Sequence, residues 1–207
     1  MRDGGDLAAV WASSSTLPST LVWDPVPVDW SAGEGSLAVE TGPATDLFVD
    51  PGDGSETLNA PRLLGRVEGD FTLSARVSVR FRSTFDAGVL LLWASARSWA
   101  KLCFELSPQG EPMVVSVVTR GVSDDCNSFV VGQGDVRLRI ARLGSAFAFH
   151  ASTDGAVWRL VRHFALEPHR EPLVGFLAQS PLGTGCSVRF EEISYSPERL
   201  ADLRSGV

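Results

Sequence analysis

Three strand-length runs follow one another between Phe85 and Phe129 with almost no polar spacer: FDAGVLLLW, SWAKLCFELS and PMVVSVVTRGVSDDCNSFVV. Each is rich in β-branched or aromatic residues and ends in Ser, Gly, Pro or Asp. That pattern commits the segment to consecutive antiparallel strands of one sheet, the last carrying a charged loop, GVSDDCNS. Asp86, Trp99, Lys101, Glu105, Thr119, Ser123 and Asp124 interrupt the apolar runs. Charged side chains enter central strands where one face meets water or a ligand, so this sheet is expected to have a polar or ligand-facing side.

The rest of the chain reads the same way. In DFTLSARVSVRF, Phe71, Leu73, Ala75, Val77, Val79 and Phe81 face one way and Thr72, Ser74, Arg76, Ser78 and Arg80 the other. DVRLRIAR and SAFAFHAS are half-buried strands, and Thr153-Asp154-Gly155-Ala156 predicts a tight hairpin turn before VWRLVRHF. PLVGFLAQS and CSVRFEEISYS close the set, and PERLADLRS predicts a short C-terminal helix. LVWDPVPVDW, with its prolines, suits an edge segment, and GDGSETLNAP reads as a loop. Strands at short spacing with no helical pattern between them make the chain all-β, with a sandwich of two antiparallel sheets the economical architecture. Residues 1–20 are expected to be an N-terminal extension and 21–207 a single domain. Phe71, Leu73, Val77, Leu102, Phe104, Leu138, Phe147 and Trp158 are the expected core.

Function classes narrow from charge and motifs. A net charge of −7 argues against nucleic-acid and anionic-membrane partners, which need a positive surface. No run approaches the roughly 20 apolar residues of a membrane-spanning helix. Arginines at 76, 80 and 82 and at 137, 139 and 142 read as solvated strand faces. Cys103, Cys126 and Cys186 cannot all pair within one chain and form no C-x-x-C spacing, so no disulfide and a cytoplasmic location are expected. His150, His163 and His169 lie outside any G-x-S-x-G, H-x-H or H-E-x-x-H motif, and Glu105 has no acidic partner two residues away. No catalytic residue, metal or cofactor is therefore assigned. In the loop, Ser123, Asp124, Asp125 and Asn127 offer three readings: turn caps, calcium ligands, which one acidic pair without a spacing motif supports weakly, or hydrogen-bonding partners for hydroxyl groups beside an indole.

In WAKLCFEL, Ala100, Leu102, Phe104 and Leu106 share one face while Trp99, Lys101, Cys103 and Glu105 share the other. An aromatic, a cation and a carboxylate thus project from one strand. Lys101 and Glu105 stand roughly 13 Å apart along it, too far for a direct ion pair. PMVVSVVT is apolar on both parities, which leaves its facing open.

TDLF, GDFTLSARV, FDAGVLLLW, WAKLCFE, VSVVTRGVSDDCNS, HASTDGAVW, VGFLAQSP and VRFEEISY, in that order from about Trp23 to Tyr195, resemble one family. It is the uncharacterised concanavalin-A-like group labelled regulation of enolase protein 1. The resemblance implies a jelly-roll sandwich and no established activity. It marks Asp46 and Phe48, Asp86 and Gly88, Trp99, Lys101, Glu105, Thr119, Ser123 and Asp124. Phe48 replaces a Trp of many relatives, keeping a stacking face without the indole donor, and Asp125 also stands where many have Trp. The candidate ligand site is accordingly Phe48, Asp86, Trp99, Lys101, Glu105, Thr119, Ser123 and Asp124 on one concave surface, with Phe48 at its rim. Three readings stay open: a non-catalytic module for a carbohydrate or polyhydroxylated ligand, an intracellular interaction or regulatory domain with a protein partner, and a glycoside hydrolase or lyase using Glu105.

Overall fold

The computed structural model describes residues 21–132, 134–166 and 171–207. The described residues form two seven-stranded antiparallel sheets and a small hairpin. Numbered in chain order, the first sheet runs across space as β1 (Val22–Trp23), β6 (Arg62–Arg66), β15 (Leu173–Gln179), β8 (Ala87–Ser95), β9 (Ser98–Leu106), β10 (Pro112–Arg120) and β11 (Val122–Val130). The second runs as β14 (Arg159–Ala165), β13 (Ala146–Ser152), β12 (Asp135–Leu143), β7 (Phe71–Arg80), β16 (Ser187–Ser196), β3 (Ser36–Glu40) and β2 (Asp29–Gly33). The hairpin is β4 (Leu47–Val49) with β5 (Glu56–Leu58). The chain is therefore an all-β sandwich, as its strand pattern requires. The proposed extension, residues 1–20, lies outside the described residues.

Alternation decides what the sheets bury. On β7, Phe71, Leu73, Ala75 and Val77 are buried and the residues between them half-buried, so one face of the second sheet supplies a continuous apolar layer. The first sheet answers with Leu90, Leu92, Ala100, Leu102, Phe104 and Phe176 in the same core. Phe176 and Phe190 meet across the sandwich at 5.0 Å between ring centroids, and Phe81 meets Phe104 edge-on at 5.2 Å. Gly88 leaves room for side chains of the facing sheet, because a Cβ there would lie 2.6 Å from Val188 Cγ1 and 2.7 Å from Val77 Cγ1. Gly88→Ala is expected to cost about 1–3 kcal/mol through overpacking, read as a lower urea midpoint at unchanged m-value.

A second apolar layer covers the other face of the first sheet. Leu47 and Val49 of β4 lie over Val89, Leu91, Trp99, Cys103, Val115 and Val117, all buried. β8 and β10 read as apolar on both parities because both their faces are covered. The hairpin was hidden in the sequence because β5 lies in a segment whose composition is that of a loop.

Three expectations are corrected. Residues 197–207 form no helix: the Asp202 carboxylate accepts from the Arg204 and Ser205 amides, while the Leu203 and Gly206 carbonyls accept from His150 Nε2 and Arg139. Tertiary bonds to the second sheet thus outbid helix propensity. Thr153–Ala156 does lie in the hairpin joining β13 to β14, but Trp158 just beyond it is not a core residue. Asp154 Oδ1 accepts from the amides of Ala156 and Val157, which widens the connection and leaves Trp158 half-buried outside the core, under the Arg139 guanidinium at 3.6 Å. The expected loop GVSDDCNS is strand β11, paired to β10 around Gly121, whose φ of 87° makes the turn.

Side chains close the sandwich along one flank. Arg162 of β14 donates to the carbonyls of Ser116 and Asp124 and pairs with the Asp124 carboxylate at 2.9 Å, and Arg120 donates to the Ala165 carbonyl. All three cysteines are free thiols, with Cys103 and Cys186 buried and Cys126 exposed. No helix among the described residues is long and apolar enough to cross a membrane.

Candidate functional site

Cross-strand register aims the polar side chains of the first sheet. Lys101 of β9 lies opposite Leu91 of β8 and Val117 of β10, and Val117 lies opposite Asp125 of β11. Glu105 lies opposite Ala87, which lies opposite Gln179 of β15. All belong to the face that the β4–β5 hairpin covers only in part. At the edge of that cover a pocket of about 140 Å³ opens, lined by Asp46 and Phe48 from the hairpin, Phe85, Glu105, Val117, Asp125, Gln179 and Pro181. Lys101 lies behind its wall, 2 % exposed, donating to Gln179 Oε1 at 3.0 Å with Asp46 Oδ1 3.6 Å away. Its ammonium also stands 5.8 Å from the Phe48 ring centroid.

The charges are mutually dependent. Burial works against the Lys101 ammonium, but the neighbouring carboxylates, Asp46 foremost, outweigh it and hold the lysine above its ordinary range. Burial pushes Glu105 up to about 8; the Lys101 charge opposes that rise, and Asp125 and Asp46 add to it. At neutral pH the pocket therefore presents a protonated carboxyl with no hydrogen bond to a described residue. Because the folded form holds this proton more tightly than the unfolded chain, Glu105 stabilises the fold fully below about pH 4.5, and that contribution is lost as pH rises through about 8. Glu105→Gln is expected to flatten this decline. The check is the difference in unfolding free energy between native and variant across pH 4–9, which cancels the separate titration of His150.

Phe85 reaches the pocket through a backbone that few residues tolerate, with φ at 68°. Asp86 imposes it. One carboxylate oxygen accepts from the amides of Arg82 and Ser83 at 2.8 and 2.9 Å, and the other from Ser180 Oγ at 2.6 Å. Phe85 N–H donates to the Leu106 carbonyl, and its own carbonyl accepts from Gln179 Nε2. The strained residue is thus over-determined by its surroundings.

Of the residues singled out in the sequence, Phe48 and Glu105 line this pocket and Lys101 stands directly behind it. The others do not converge with them. Trp99 is fully buried beneath the hairpin, its Nε1 without a partner among the described residues. Thr119 and Ser123 share a buried 2.9 Å hydrogen bond, and Ser123 Oγ accepts the Val49 amide, so this pair anchors the hairpin. Asp86 holds the Phe85 turn. Asp124, opposite Val118, faces the flank of the second sheet, where Arg162 binds it. Its neighbour Asp125 faces the pocket instead, as strand parity demands and a loop reading cannot show. Phe85, Val117, Gln179 and Pro181 carried no sequence signal, whereas Asp46 was marked by the resemblance. Among the described residues no group of His, Cys, Asp and Glu is arranged to hold a metal ion.

No curated protein matches the chain significantly. Among solved structures, a functionally unknown protein from Saccharomyces cerevisiae is 27% identical with a TM-score of 0.79, covering 86% of this chain and 96% of its own. The Bacteroides ovatus protein described as Xyloglucan PUL GH43B is 16% identical with a TM-score of 0.69, over 91% of this chain but 38% of its own. The carbohydrate-binding module CBM66 from Bacillus subtilis is 13% identical with a TM-score of 0.52, over 84% of this chain and 94% of its own. The last two likenesses establish the sandwich fold alone. The family model described as a protein of unknown function, DUF1349, matches residues 23–198, most of both sheets and every residue of the pocket, and the chain belongs to that family.

Proposed function

We propose that the protein is a non-catalytic binding module that holds one ring of a carbohydrate or similar polyhydroxylated ligand in the pocket beside the β4–β5 hairpin. The observation that carries this reading is the convergence of Asp46, Glu105, Asp125 and Gln179 with the rings of Phe48 and Phe85 on one opening. These groups come from five separate segments, and strand pairing alone gives no reason for them to meet. Hydroxyl groups need hydrogen-bonding side chains at the edge of a sugar and an aromatic surface against its face. A cavity of about 140 Å³ admits a single small ring, since one of ~150 Å³ holds benzene. The sandwich likeness to a carbohydrate-binding module lends the reading further support. Three free thiols suit a reducing compartment.

The test is a thermal-shift series with glucose, galactose, xylose and arabinose on the native protein and on Phe48→Ala. A binding sugar at a hundredfold excess over Kd stabilises the fold by about 2.7 kcal/mol. Phe48 is half-buried, so its truncation should abolish the shift while leaving a cooperative unfolding transition. A flat response to all four sugars rejects the reading.

A second reading, hydrolysis of a glycosidic bond, draws on Glu105, a protonated acid sharing a pocket with the Asp46 and Asp125 carboxylates. Release of nitrophenol from aryl glycosides, lost in Glu105→Gln, would support it. The enolase-regulation label implies a protein partner instead, and a specific pull-down partner alongside the flat sugar response would favour that reading.

A further inference from the structure

The hydrogen-bonding inventory of the pocket is lopsided. Lys101 is committed to Gln179 Oε1 and to Asp46, and the Gln179 amide nitrogen is committed to the Phe85 carbonyl. Lys101 and one Gln179 N–H are thus engaged inside the protein, leaving the second Gln179 N–H and the Glu105 O–H as the side-chain donors at the opening. Acceptors outnumber those donors, because three carboxyl groups meet there. The Glu105 carboxyl has no hydrogen bond to a described residue, Asp125 adds a second carboxylate, and Asp46 engages one oxygen with the Leu47 amide and the lysine. Three carboxyl groups thus surround one ammonium that is already bonded. Phe48 and Phe85 supply aromatic rings at the same opening, and an aromatic face attracts a cation.

We infer that the preferred occupant carries an ammonium group, as an amino sugar does, seated among the carboxyl groups of Glu105, Asp125 and Asp46 with its ring against Phe48. This deepens the binding reading given above and rests on it. An ammonium supplies donors and a positive charge to a site that offers acceptors and excess negative charge, whereas a neutral sugar leaves that charge unanswered. N-acetylation removes the cation while keeping the ring. Seating the cation also favours ionised Glu105, which is protonated at neutral pH. The carboxyl O–H then breaks and its proton passes to buffer, with Lys101, Asp46 and Asp125 as the other charged groups facing it.

Calorimetric titration of the full chain at pH 7 with glucosamine, glucose and N-acetylglucosamine tests this. The expected result is glucosamine binding about tenfold or more tighter than either of the others. Its binding enthalpy should depend on the ionisation enthalpy of the buffer, as proton release requires. Glu105→Gln should collapse the preference for glucosamine over glucose toward one and remove that buffer dependence. Asp125→Asn, at an exposed position, gives an independent reduction of the preference should the first variant fold poorly. Equal affinity for glucosamine and glucose overturns the inference and leaves the polyhydroxylated-ligand reading standing. Failure of all three compounds to bind removes both.

Discussion

Asp86→Ala is expected to destabilise the protein by about 2–4 kcal/mol, because it removes a fully buried carboxylate that accepts from the buried Ser180 hydroxyl and from two part-buried amides. An unsatisfied buried donor costs about 1–3 kcal/mol, and the part-buried Arg82 and Ser83 amides lose the acceptor that fixes the turn. Asp86→Asn keeps one acceptor oxygen and should cost about half as much. The effect is predicted to have two parts. Urea unfolding reports the loss of stability, while ligand-induced shifts at the pocket should disappear even where the variant stays folded, since Phe85 loses the turn that presents it. A loss below about 1 kcal/mol would show that the turn is held by its backbone bonds alone.

Phe104→Ala is the second large effect, at about 3–5 kcal/mol. The side chain is fully buried between the sheets, stacked edge-on against Phe81. β9 is central, with β8 and β10 on either side, so the surrounding side chains cannot collapse far into the space it leaves. Truncation therefore forfeits both the transfer energy and the packing around a residual cavity. Unlike Asp86→Ala, this change lies on the face of β9 away from the pocket. Sugar-induced stabilisation, measured relative to the variant's own midpoint, is expected to survive.

The two faces of β9 show how far the sequence can be read. Parity correctly separated Phe104, Leu102 and Ala100 from Trp99, Lys101 and Glu105, because the side-chain period of a strand is fixed at two. Parity says which residues share a face and nothing about what covers it. Trp99 and Glu105 share one, yet the hairpin seals the first and leaves the second at an opening, and that difference comes from β4 and β5, some 40 to 60 residues earlier in the chain. ATDLFV reads as a short strand and contains β4, whereas its partner β5 is three residues in a segment of loop composition, too short for its alternation to show. Asp124 and Asp125 were separated by a similar subtlety. Their acidic, Asn- and Ser-containing stretch has turn-like composition, and only pairing with β10 fixes it as a strand in which neighbours point opposite ways. Gly121 was the available signal. Gln179 and Phe85 could not be found from pattern at all, because an ordinary strand-end polar residue and an ordinary aromatic acquire their roles solely from long-range contacts.

The Arg162 bonds along the β11–β14 flank have a consequence for how the molecule behaves in crowded company. An open sandwich leaves strand edges whose unpaired amides and carbonyls can template the strand of another chain, and such growth is how many β proteins begin to form fibrils. Here the Asp124 and Ala165 carbonyls on facing edges are already engaged by arginines from across the gap. At the other flank, Pro25 and Pro27 lie between β1 and β2 and offer no amide hydrogen to an incoming strand. Each flank thus carries a feature that hinders edge-on pairing without the sheets closing into a barrel. High salt, by screening the Arg162 pairing with the exposed Asp124 carboxylate, would loosen the first flank before the core between the sheets gives way.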